Sequence, residues 1–212
     1  MKADSCIHDF KSLGYDIHDF SLLTFKPIHF QDPNSDLLFF YSKNGIRFYF
    51  EGMPYKLERK YAVMGPASAE YFESVTGRKP HFVGDGSAEE IAEQLIAFAE
   101  GMSIHFIRAQ QSKNSIELLV KHLLDTQGST VVYDNSIDTK AQLPEAQILI
   151  FTSPLNVLAY FEQKRIEDQI VLAIGPTTKA ELEKFGLSHI HVSSSPDEQS
   201  LCALLGELIN TD

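Results

Sequence analysis

Residues 171–185 read VLAIGPTTKAELEKF. An apolar run of strand length stops at Gly175-Pro176, two hydroxyls follow, and residues of helical composition take over. A strand entering a helix through so short a turn is part of a βα unit, and the pattern occurs twice. YAVMGPASAEYFESV (61–75) has the same apolar strand, Gly-Pro, small or hydroxyl pair and helix. Upstream of each, LLFFYSKNGIRFYFE (37–51) aligns with ILIFTSPLNVLAYFE (148–162), sharing a Leu, a Phe, a Ser after the strand and a terminal Tyr-Phe-Glu. Downstream, HFVGDGSAEEIAEQLIAFAE (81–100) and HIHVSSSPDEQSLCALLGELI (189–209) each give a short strand, a loop and a helix begun by Ser or Asp with Glu, the chemistry of an N-cap.

Strands alternating with helices over short loops predict parallel sheets flanked by helices, so the expected fold is α/β with two similar domains. Between the repeats, SIHFIRAQQSKNSIELLVKHLLDTQGSTVVYD predicts a strand at Ile104–Ile107, a helix over about 112–126 and a strand at Thr130–Tyr133. KSLGYDIHDFSLLTFKPIHF, near the start, reads as a helix end, a Gly turn and an extended apolar segment. The first repeat is then an insertion: residues 1–25 with 138–212 form one discontinuous α/β domain and 32–130 the inserted one. Linker strands at 26–31 and 131–137 join them, with Pro27, Pro33 and Pro144 as breakers.

The 212 residues suffice for two small domains, and 43% hydrophobic with 22% charged residues is the balance of a soluble globular chain. No apolar run approaches the roughly 18–20 residues of a membrane span, and MKADSCIHDF lacks a signal-peptide core, so the expected location is the cytoplasm, away from membranes. A net charge of -11 without clustered Lys/Arg excludes a general nucleic-acid binder. Cys6 and Cys202 stand far apart without metal-ligand spacing, so neither a disulfide framework nor a structural zinc is expected and a reducing compartment fits.

In open parallel sheets, ligands bind beyond the strand carboxyl ends, where helix N-termini offer free N–H groups to anions. Four loops qualify: 41–45, 65–68, 152–154 and 175–178. Ser42, Ser68, Ser153, Thr177 and Thr178 add hydroxyls there. The competing reading is helix capping, which accounts for many Ser and Thr at helix starts; four such loops on two matched halves favour donors facing a shared cleft. Arg108, after a strand, reaches that cleft or makes a surface ion pair. Tyr133 offers a hydroxyl as donor or weak general acid, or packs as a strand residue. His189 and His191 share one strand face without a third ligand and read as a solvated face; Gly84-Asp85-Gly86 reads as a turn.

VLAIGPTTKAELEKFG, with ILIFTSPLNVLAYF, VSSSPDEQSL, FFYSKNG, VMGPASAEYF and STVVYDN, closely resembles the uroporphyrinogen-III synthase family across nearly the whole chain. The motifs are short, and their order and spacing make the match specific. The resemblance implies two α/β domains joined by a two-stranded linker, with the substrate in the cleft between them. It implies cyclisation of the linear tetrapyrrole hydroxymethylbilane to uroporphyrinogen III, with inversion of ring D through a spiro intermediate, loss of water, and no metal or organic cofactor. Tyr133 matches the family's linker-region tyrosine, proposed to assist departure of the substrate hydroxyl, and Thr177 and Thr178 match its GPTT hydroxyls. Ser42, Asn44, Ser68, Arg108, Ser153 and Pro154 complete the expected substrate-binding set.

Family members usually begin with a strand ahead of the first helix, whereas MKADSCIHDFKSLGYD resembles that helix itself. A late start is the expectation, together with a monomer able to associate through the edge so left. The alternative to the synthase is a catalytically silent tetrapyrrole-binding regulatory module on the same scaffold; a two-domain binder of another polyanion is more distant.

Overall fold

The run Leu37-Leu38-Phe39-Phe40 is β2, and all four of its side chains are fully buried. Successive strand residues point to opposite faces, so a strand apolar throughout must be covered on both. Leu38 and Phe40 pack with Ile46 and Phe48 of α2 (Lys43–Gly52) and Phe72 of α3 (Pro66–Thr76). Leu37 and Phe39 pack with Ile91 and Leu95 of α4 (Ala88–Phe98) and with Ile116 and Val120 of α5 (Ser115–Val120). Helices therefore lie on both faces of this sheet.

The computed structural model describes residues 6–19 and 21–209. Two compact units emerge, one formed by residues 1–24 with 136–212 and the other by residues 25–135. In the second, β2 is flanked in parallel by β3 (Lys60–Val63) and β5 (Ser103–Ala109), followed outward by β4 (Phe82–Val83) and β6 (Asp125–Ile137). β1 (Leu23–Pro27) lies beside β6, and these two strands carry the chain from one unit to the other. The first unit has the parallel order β7 (Ile148–Phe151), β8 (Ile170–Ala173), β9 (His191–Val192). α6 (Pro154–Phe161) and α7 (Pro176–Glu183) cover one face of it; α8 (Glu198–Ile209) covers the other, with α1 (Cys6–Ser12) packed on α8. Both units are thus α/β with parallel sheets flanked by helices.

The repeat is visible in backbone geometry. Ser42 and Ser153 cap α2 and α6 with nearly equal dihedrals, φ -158, ψ 161 and φ -160, ψ 153. Gly65 and Gly175 are fully extended before Pro66 and Pro176, which occupy the first helical turn, where a missing N–H costs nothing. α4 begins with a capping box of Ser87 and Glu90, and Asp197 accepts from Ser200 N ahead of α8. α3 ends at Gly77, whose φ of 69 suits a residue without Cβ.

The helix expected over about 112–126 is much shorter. Asn114 takes a left-handed conformation (φ 53) just before α5, turns closed by Leu123 N and Leu124 N on Val120 O follow it, and strand pairing claims the chain from Asp125, which pairs with Ser103. β6 is correspondingly longer than the strand expected at 130–133. Its register with β5 shifts between Ile104 and Phe106, where Gly128 (φ 86) lies in the extra length of β6. Cys202 is disulfide-bonded, which corrects the reading from cysteine spacing. Separation along a chain does not limit approach in space.

An ionic anchor unforeseen in the sequence fastens the stretch after β1 to its unit. Asp32 accepts from Arg59 Nη1 at 2.7 Å, from Lys56 Nζ at 2.7 Å and from the Tyr49 hydroxyl, and Phe30 stacks on Tyr49 at 5.6 Å. Burial pushes the Asp32 carboxyl up, but the three donors outweigh it and lower the pKa to about 2.

Candidate functional site

β2 ends at Phe40, and the next two residues turn the chain into α2. Ser42 Oγ accepts from Gly45 N at 3.0 Å, so the capping reading of this serine holds. The same oxygen lies 3.0 Å from the Tyr133 hydroxyl, brought there by β6, and either group can donate. Capping and a polar site are therefore compatible at Ser42. Phe48, also on α2, stacks on the Tyr133 ring at 5.1 Å with an interplanar angle of 19°, and Phe25 flanks it at 6.1 Å. Tyr133 is 5% exposed; burial raises its pKa, partly offset by the bond with Ser42, so the phenol stays protonated at neutral pH.

Around this pair, β5 supplies Arg108, whose Nε donates to Ser129 Oγ at 2.9 Å and whose Nη1 donates to Ala109 O at 3.1 Å. The guanidinium is thus held by neutral acceptors, and among the described residues no ion pair to it is formed. Tyr41, next to Ser42, accepts from Glu117 N at 2.8 Å and ties the start of α5 to the end of β2. Buried Asn135 accepts from Gln111 N at 3.1 Å and holds the loop after β5 against β6. Asn44 and Ser68 lie in the first turns of α2 and α3, both half-buried. Ser42, Asn44, Ser68, Arg108 and Tyr133 all belong to the unit 25–135.

The other unit carries the remaining candidates. Ser153 caps α6 by accepting from Asn156 N at 3.2 Å, with Pro154 at the first helical position. In the first turn of α7, Thr177 is exposed while Thr178 is 1% exposed, so only the former presents its side chain to solvent. His189 and His191 are both exposed. Among the described residues, no group of three or more His, Cys, Asp or Glu is placed to hold a metal ion, and no helix is long and apolar enough to cross a membrane.

Local reading missed Tyr41, Asn135 and Asn156, whose side chains act across long stretches of chain. Asn156 Oδ1, for instance, accepts from Leu22 N at 3.2 Å. The only signal for it is a polar residue on the otherwise apolar face of α6.

Comparison with known proteins adds to this geometry. The family model described as Uroporphyrinogen-III synthase HemD matches residues 4–203. Among solved structures, the uroporphyrinogen-III synthetase of Helicobacter pylori 26695 is similar with a TM-score of 0.69 at 20% identity, over 89% of this chain and 91% of that one. A mutant uroporphyrinogen III synthase from the extremely thermophilic bacterium Thermus thermophilus is similar with a TM-score of 0.62 at 16% identity, over 98% and 93%. At such identities these structures speak for the fold. No curated protein matches the chain.

Proposed function

The chain belongs to the uroporphyrinogen-III synthase HemD family, and from that premise we propose that it closes the linear tetrapyrrole hydroxymethylbilane to uroporphyrinogen III, inverting ring D and releasing water. The observation that carries this reading is the family match across residues 4–203, which includes both halves of the repeat and the strands between them.

The site chemistry supports it. With Ser42 Oγ accepting from Gly45 N and donating to the Tyr133 oxygen, the phenolic hydrogen is left for the departing substrate hydroxyl, which leaves as water. Hydroxymethylbilane, the substrate proposed here, carries eight carboxylates. In the unit 25–135, the helix N-termini at Ser42 and Gly65, with Asn44, Ser68 and the cation Arg108, offer donors for carboxylates; in the other unit, the N-termini at Ser153 and Gly175, with Thr177, offer the same chemistry. The protein's larger task is conformational: the ends must be held so that the inverted ring closes before spontaneous closure to the type I isomer.

The test is the isomer ratio of uroporphyrin formed from freshly generated hydroxymethylbilane, after oxidation and chromatography. Mostly type III is expected; type I at the spontaneous rate, with substrate bound, would establish the silent binding module instead. Tyr133→Phe is expected to slow type III formation about 100-fold, the lower end of what a positioned acid contributes. An unchanged rate would remove Tyr133 from the chemistry.

A further inference from the structure

Tyr133 reaches Ser42 because β6 slips twice against β5. Ile104 pairs with Thr126 and Phe106 with Ser129, so Gln127 and Gly128 together stand opposite His105. Arg108 pairs with Val131 and Ala109 with Tyr133, so Val132 is a second extra residue. Successive strand residues face opposite sides, and a slip of one residue turns the rest of the strand over. The first slip puts Thr130, the partner of Ile107, and fully buried Val132 on the face covered by α2. The second brings Tyr133 onto that same face, where Phe48 and Ser42 meet it. Backbone bonds hold the second slip from both sides: Gln110 N donates to Tyr133 O at 2.9 Å and Ile28 N to Val132 O at 3.0 Å.

At the first slip stands His105. It is in register with Leu38, whose side chain lies on the α2 face, and it is 9% exposed. Its Nε2 lies 2.7 Å from Thr130 Oγ1, just past the bulge. Burial lowers the pKa of the imidazole, so at neutral pH the ring is uncharged and has a single N–H. The opposing influence is a hydrogen bond with the backbone of Gln127, inside the bulge, which favours the charged ring. A bond of that sign is one in which a ring N–H donates to a carbonyl. With the hydrogen on Nδ1 for that bond, Nε2 is left to accept from the Thr130 hydroxyl. On the other face Arg108 Nε donates to Ser129 Oγ at 2.9 Å, but Ser129 already lies beyond the extra residue, so that bond does not span the bulge.

We infer that His105 is a positioning residue: its ring clamps the bulge of β6 between the Gln127 carbonyl, which accepts from Nδ1, and the Thr130 hydroxyl, which donates to Nε2, and so sets the register that carries the Tyr133 phenol to Ser42. Undoing this bulge would set Val132 opposite Ala109 in place of Tyr133. A histidine suits the task because one uncharged ring offers a donor and an acceptor on separate atoms, matching a carbonyl and a hydroxyl on either side of an irregular strand. The bearing of the clamp on catalysis rests on the role proposed above for Tyr133; the clamp itself does not.

Two readouts test the clamp without any substrate. In the unaltered protein, nitrogen NMR of the imidazole rings is expected to find His105 uncharged at neutral pH with its hydrogen on Nδ1; a hydrogen on Nε2 overturns the clamp. With tyrosines isotopically labelled at Cζ, the Tyr133 signal, identified by its loss in Tyr133→Phe, reports on the phenol. Thr130→Val removes the hydroxyl and is expected to shift that signal, and Thr130→Ser, which returns the hydroxyl, to restore it. An unshifted signal in Thr130→Val overturns the proposal, as does a shift that Thr130→Ser leaves in place. The third readout is turnover of hydroxymethylbilane. Thr130→Val is expected to lower kcat for type III about tenfold with KM little changed, within the roughly 100-fold that a displacement of about 1 Å can cost. In a Tyr133→Phe chain it should have no further effect, since no phenol remains to be placed. Equal losses in both chains would make the clamp merely structural and overturn its link to Tyr133. Formation of type I alone by the unaltered chain would overturn the function proposed above instead, with the clamp decided by the two NMR readouts.

Discussion

Replacing Asp32 by Asn should make the stability of the unit 25–135 less dependent on acid. In the folded chain the Asp32 carboxyl has a pKa of about 2, against 3.8 ordinarily, because the bonds from Arg59, Lys56 and Tyr49 outweigh the cost of burial. A depressed folded-state pKa means that the carboxylate's contribution is complete above the unfolded value and is lost as pH falls through the folded one. The difference amounts to about 2 kcal/mol at pH 7, and linkage leaves about half of it at pH 3. Asp32 is 17% exposed, so the interaction is only partly screened by solvent. Urea unfolding of both chains at pH 7 and pH 3 measures this, followed by tyrosine fluorescence. Six of the eight tyrosines (Tyr41, Tyr49, Tyr55, Tyr61, Tyr71 and Tyr133) lie in this unit, so the signal reports mainly on it. Comparing the two chains cancels the titration of all other carboxylates. The expected result is a stability gap that shrinks by about 1 kcal/mol between the two conditions; a gap that stays constant would refute the assignment of a depressed pKa to Asp32.

Gly84→Ala should destabilise the chain by about 1–3 kcal/mol in denaturant unfolding, because a Cβ there would meet Met64 O at 2.7 Å and Ile91 Cγ2 at 2.8 Å, both held by packed structure. Ser87→Ala, which removes half of the α4 capping box, should cost about 1 kcal/mol and raise amide exchange in the first turn of α4 before anything else. Phe72→Ala opens a cavity among Phe40, Phe50, Tyr55 and Tyr61, and a loss of about 3–5 kcal/mol is expected. Leu118→Ala, at 57% exposure on α5, should shift the same unfolding midpoint little.

What the amino-acid sequence determined by itself is whatever depends on near neighbours along the chain. Apolar runs such as Leu37–Phe40 and Ile170–Ala173 announce strands, and Gly65-Pro66 and Gly175-Pro176 announce strand-to-helix turns, because solvent exclusion, fixed proline φ and first-turn amides act over a few residues. Their recurrence is enough to specify α/β units with parallel sheets. The helix at 115–120 was overestimated for the same reason: its composition suits a longer helix, but pairing of Asp125 with Ser103 is a distant competitor invisible in the local pattern. Tyr133 was legible only as a candidate; that its hydroxyl meets Ser42, 91 positions away, and that its ring is stacked on Phe48 followed from β5 seating β6 near the end of β2. Asp32 with Arg59, and Asn156 with the amide of Leu22, are likewise matters of tertiary structure. A hydrogen bond or ion pair demands atoms within about 3 Å, and which residues come that close is decided by strand order and helix packing rather than by spacing along the chain.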